Sequence, residues 1–147
     1  MFMIPRKTQA YFNQYIGIPY LSRGDSFRGA DCFGLLKLIY LHELGIEFPE
    51  YEYTDAKDIE GNAPIIQREK SKWKKIPNLE ICSFDVVSFR IAGVEAHLGV
   101  VIDSTEKLAV HTLANHDSAL IRLDSAQWEK RIAGFYRHYD FLQTPLL

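Results

Sequence analysis

Three residues of this 147-residue chain are of types that could share one piece of chemistry: Cys32, His97 and His111. Cys32 stands between a polar loop and an almost wholly apolar run, at what reads as the first turn of a helix. Unpaired backbone N–H groups and the helix dipole favour a thiolate at such a position, and the thiolate is the reactive form of cysteine. The same N–H groups could hold a developing oxyanion. Taken alone, Cys32 reads first as core, because free cysteine is among the most buried residue types.

A thiol nucleophile needs a base. His97 and His111 lie seven residues either side of Ser104. A hairpin centred near Ser104 would place them directly opposite, on one face, with Cβ atoms about 4.5–5.5 Å apart. One imidazole can then orient the other, which is the base-and-orienter arrangement of a thiol hydrolase. A one-residue slip would send the two to opposite faces, and a pair of histidines satisfied separately in the sheet stays open on the pattern alone. His42 reads as a surface charge near a helix end and His116 as a solvated turn residue. No role is assigned to His138. No CxxC or HxxxH pair involves Cys32, Cys82, His97 or His111, so no metal and no cofactor is assigned.

Two kinds of element must position these residues. Asp31 is the N-cap of a buried helix from Cys32 to Leu44, which Gly45 closes. Gly34 lets that helix approach another backbone closely. Ala10, Tyr11 and Tyr15 predict a first short helix within Arg6 to Ile16. Tyr20 to Gly29 reads as a loop. Glu47 to Lys75 is expected to be long surface connections around a short helix from Ile65 to Trp73. Beyond Phe84 come β-rich runs at Val86–Phe89, Leu98–Ile102, Lys107–His111 and Ala119–Leu123. One helical turn follows with Trp128 facing in, then a last strand from Ile132 to Tyr139. Helices first and strands afterwards give an α+β fold, with helices packed on an antiparallel sheet.

The composition suits a single globular domain over residues 1–147: 47% hydrophobic, 24% charged, net charge −2. No basic run tracks a nucleic acid. The longest apolar stretch, Phe33 to Leu41, is broken by Lys37 and is too short to span a bilayer. The N-terminus does not read as a secretory signal. Two cysteines without a CxxC do not suggest a disulfide framework.

Taken in order, Tyr20, Asp31-Cys32-Phe33-Gly34-Leu35, Phe84-Asp85-Val86-Val87-Ser88-Phe89, His97-Leu98-Gly99-Val100-Val101 and Val110-His111-Thr112 resemble the NlpC/P60 cysteine peptidases. The resemblance runs from about Gln9 to Tyr139. It implies a papain-like α+β fold and hydrolysis of an amide bond in peptidoglycan stem peptides, typically between D-glutamate and the diamino acid. It makes Cys32 the nucleophile, His97 the general base, His111 the residue that orients His97, and Tyr20 a neighbour of the oxyanion. Many members carry serine where this chain has Phe33, and that serine helps hold the substrate's amine. The substrate side is thus expected at Asp31, which could pair with a cationic amine, and at Phe33. Many members also carry glycine where this chain has Phe84. Gly134-Phe135-Tyr136-Arg137 and the compact length resemble the subgroup encoded with phage tail genes, which implies tail proteins as partners. The alternatives are a mainly structural tail component and a cytosolic amidase acting on recycled wall peptides.

Overall fold

A computed structural model describes residues 12–53 and 59–140, with the side chains of residues 59 and 60 left aside. The apolar run after Asp31 forms α1 (Cys32–Leu44). Asp31 accepts from the Gly34 amide, and Gly45 ends the helix at φ 66° with its N–H on Leu41 O. α1 is buried on most sides, which explains its lack of a polar face. Lys37, the polar residue in its middle, reaches Glu50 at 2.9 Å and Asp25 at 3.3 Å.

A small hairpin, β1 (Asp25–Ser26) and β2 (Gly29–Ala30), occupies the stretch expected to be loop. α2 (Ile59–Lys70) lies earlier than the Ile65–Trp73 helix expected, and Gly61 and Pro64, both breakers on paper, fall inside it. Of the helix expected over Arg6 to Ile16, the described part holds a 3₁₀ turn at Asn13–Tyr15, and Ala10 and Tyr11 lie outside the described residues.

The remaining strands form one six-stranded antiparallel sheet in the order β3-β8-β4-β5-β6-β7. They are β3 (Lys74–Ile76), β4 (Val86–Ile91), β5 (Val94–Asp103), β6 (Leu108–His111), β7 (Ala119–Arg122) and β8 (Ile132–Arg137). β8 thus stops short of the expected Tyr139. β3 was not expected, and its exposed Lys74 and Lys75 suit an edge strand.

Strand alternation divides the core. Val86, Val100 and Val110 align across three strands and pack against α1. Val87, Phe89, Val101 and Ala109 face the other way and pack with Phe135 and Trp128. Lys70 of α2 meets Glu95 of β5 at 2.6 Å, and Glu95 accepts from Ser88 at 2.6 Å, which ties α2 to the sheet. Arg137 donates to both carboxylate oxygens of the buried Asp85 at 2.9 Å, fixing the end of β8 beside the start of β4. No helix among the described residues is long and apolar enough to cross a membrane.

Candidate active site

The start of α1 is held by its own cap. The Asp31 carboxylate accepts from the amides of Gly34 (2.8 Å) and Arg23 (2.6 Å) and from the Tyr53 hydroxyl (2.6 Å). It has no exposed surface. A carboxylate so occupied holds the helix start and the preceding loop. Its three donors and its burial leave no open face toward a cationic amine, the partner the sequence suggests for it. Gly34 fixes the loop from the other side. A Cβ at that position would lie 1.6 Å from Gly24 O. Tyr20 bridges to Ala30, two residues before Cys32, so the loop places Tyr20 next to the helix start.

Cys32 is 6% exposed and free. Burial pushes its thiol up to about 12, and the neighbouring Asp31 carboxylate adds to this. The amides of Leu98, Phe33 and Cys32 itself act in the opposite direction. The helix-start N–H groups therefore do favour the thiolate, as the sequence suggests, but desolvation outweighs them and the resting group is a thiol.

Leu98 of β5 packs against the buried cluster that holds Cys32, which brings the thiol to that strand. β6 ends at His111, opposite Gly99, so β5 before Gly99 has no neighbour on the β6 side. The residue before Leu98 is His97. Its Nε2 lies 2.8 Å from His111 Nδ1, which leaves His97 Nδ1 as the nitrogen that can serve a thiol. Both rings are buried, and burial depresses both: His97 to about 3, with His111 beside it contributing, and His111 to about 4. The site at rest is a neutral thiol with a neutral imidazole pair.

The register that produces this pair differs from the one expected. His111 stands opposite Gly99, not His97. Asp103 Oδ1 accepts from Thr105 and Glu106, Lys107 takes φ 56°, and a bulge falls between Val101 and Asp103. These move the turn toward the C-terminus. Because His97 and Gly99 are two residues apart, the shift keeps His97 and His111 on one face and makes them diagonal neighbours. Diagonal partners need long side chains, and imidazoles reach.

Trp128 and Phe89 surround the pair. Trp128 lies edge-on to His111 with centroids 4.8 Å apart, and Phe89 lies 5.5 Å from His97. The sequence points Trp128 inward, with no sign that it meets the histidines. Phe33, expected on the substrate side, is 2% exposed and packs on Tyr51 and Tyr53. With Leu98 it lines an apolar cavity of about 40 Å³ between α1, α2 and the sheet. Cys82 is a free cysteine away from this site, its Sγ near Glu80 O. His42 and His116 are exposed, and His138 packs edge-on against Trp73.

The fold has known relatives. The NlpC/p60 domain of the peptidoglycan hydrolase SagA is similar in structure, with a TM-score of 0.60 and 20% identity over 86% of this chain and 92% of that one. An NlpC/P60 family protein from Bacillus cereus has a TM-score of 0.63 and 21% identity over 92% of this chain and 41% of that one. In sequence, the chain is 24% identical over 115 residues to murein DD-endopeptidase MepS/murein LD-carboxypeptidase of Escherichia coli (strain K12), covering 78% of this chain and 53% of that protein. The chain thus spans about half the length of the curated relatives it matches. A sequence model of the NlpC/P60 family matches residues 17–137, and the chain belongs to that family.

Proposed function

We propose that this protein is a cysteine peptidase that hydrolyses peptide bonds in peptidoglycan stem peptides, with Cys32 as nucleophile, His97 as general base and His111 as its orienter. The observation that carries the reading is the 2.8 Å contact between His97 Nε2 and His111 Nδ1. It lies one residue from Leu98, which packs against the buried cluster that holds Cys32.

In this reading His97 Nδ1 takes the proton from Sγ as the sulfur adds to the scissile carbonyl. Transfer and attack go together, because the resting groups are neutral. The Cys32 N–H and Tyr20 hold the oxyanion. The intermediate collapses, the C–N bond breaks, and His97 returns the proton to the leaving amine. Water, deprotonated by His97, then adds to the thioester and releases the acid and the free thiol.

The bond between D-glutamate and the diamino acid is the proposed target, on the strength of the motif resemblance. The name of the Escherichia coli relative points to a DD bond and an LD bond of murein instead. Digestion of purified sacculi and muropeptides, with mass spectrometry of the products, separates these. The reading predicts cleavage by the wild type and none by Cys32→Ala. Equal cleavage by both would overturn it. The phage-tail setting rests on the resemblance at Gly134-Phe135-Tyr136-Arg137, and co-purification with tail particles tests it.

A further inference from the structure

The contact between the two imidazoles contains one shared proton, and its starting position decides whether His97 can act. For His97 Nδ1 to be a base, the proton must sit on His97 Nε2 and point at His111 Nδ1. His111 must then carry its own proton on Nε2. Among the described residues no nitrogen, oxygen or sulfur accepts from His111 Nε2. What lies against that ring is Trp128, at 4.8 Å between centroids and 84° between planes. Edge-on packing at this distance is the geometry in which an N–H of one ring meets the π face of the other. The Trp128 indole N–H makes no hydrogen bond to either imidazole among the described residues, so the near-perpendicular ring packing is the contact between Trp128 and His111.

We propose that Trp128 is a positioning residue that accepts the His111 Nε2–H on its π face and so fixes the tautomer of both histidines for proton abstraction from Cys32. The catalytic relay then ends on an aromatic face rather than on an oxygen. The indole is built to stay put. It is 4% exposed, its backbone N–H bonds Ser125 O at 3.2 Å, Arg131 stands 5.7 Å over the ring, and Phe89 packs on it at 5.1 Å. Phe89 also touches both imidazoles, at 5.5 and 6.4 Å, but neither contact is as close or as near perpendicular as that of Trp128 on His111. This inference rests on the catalytic reading above for its consequence, though not for its geometry.

The test is the histidine tautomer read by long-range ¹H–¹⁵N spectra of the ¹⁵N-histidine-labelled full chain at neutral pH. The expected result is protonated Nε2 and bare Nδ1 on both His97 and His111. A His111 protonated at Nδ1 overturns the proposal in the wild-type protein, with no variant needed. Trp128→Phe should keep the tautomer and most of kcat. Trp128→Leu should lower kcat about fivefold with KM little changed, and should move the His111 signals toward a mixture of tautomers. Unchanged His111 signals and unchanged kcat in Trp128→Leu would also overturn it. If the wild type has the expected tautomer but cleaves no stem peptide, the catalytic reading fails and the Trp128 contact stands.

Discussion

Gly99, not His97, faces His111 across the β5–β6 pair, and the two histidines meet on the diagonal beside it. A Cβ at residue 99 would lie 3.2 Å from Val87 Cγ1 and Val110 O and 3.4 Å from the Phe89 ring. The glycine of the His-x-Gly-Val run is therefore the space in which Phe89 can sit next to both imidazoles. Gly99→Val should push Phe89 out of place, destabilise the fold by about 1–3 kcal/mol, and lower kcat more than it raises KM. Thermal midpoints and steady-state kinetics read the two effects. A Gly99→Val protein with wild-type kcat would separate the pair from this packing.

Gly34 carries a more severe constraint. A side-chain carbon at residue 34 would meet Gly24 O at 1.6 Å, and that oxygen belongs to the backbone, which cannot rotate away. Gly34→Ala should detach the Tyr20–Ala30 loop from the start of α1 and abolish detectable turnover. Proteolysis measured with activity checks this, because a detached loop is cut early. Full activity in Gly34→Ala would show that the loop does not shape the site.

The thiol is raised to about 12 and the imidazoles lowered to about 3 and 4. Activity limited by His97 should therefore persist well below pH 6, and Cys32 should react with iodoacetamide at neutral pH more slowly than a free thiol. Stability follows the same shifts. As pH falls below about 6.5 the unfolded chain takes up protons at both histidines while the folded chain does not, so stability is lost progressively toward pH 3–4. Thermal midpoints between pH 7 and 4.5 should fall more steeply for the wild type than for His111→Gln. Parallel curves would contradict the burial of neutral imidazoles.

The occupied Asp31 carboxylate predicts how the substrate's amine is treated. With the Gly34 and Arg23 amides and the Tyr53 hydroxyl already bound, a free amine gains little there. Stem peptides with free and acetylated N-termini should be cleaved with kcat/KM values within a few-fold of each other. A hundredfold preference for the free amine would mean that Tyr53 yields its place to substrate.

Much of this was legible in the residues. Asp31, Gly34 and Gly45 marked the start, the close approach and the end of α1, because caps and tight contacts demand particular residue types. The parity of His97 and His111 survived although the register did not, since a shift of two preserves the face while turn and bulge geometry resist reading from sequence. β3 was hidden by its lysines, and α2 by Gly61 and Pro64. Phe84 explains itself only in three dimensions. It sits at φ 75°, the region that favours glycine, while its ring is fully buried against Phe12. The role of Trp128 depends on a contact between distant segments, and no local pattern encodes that.

Cys32 is expected to form the covalent intermediate. Rapid mixing with a stem peptide, acid quenching and mass spectrometry of the digested protein measure it directly. The expected result is a thioester carrying the acyl half of the substrate on the Cys32 peptide of the wild type, with no adduct and no turnover in Cys32→Ala. Turnover that proceeds without an adduct and survives Cys32→Ala would contradict it.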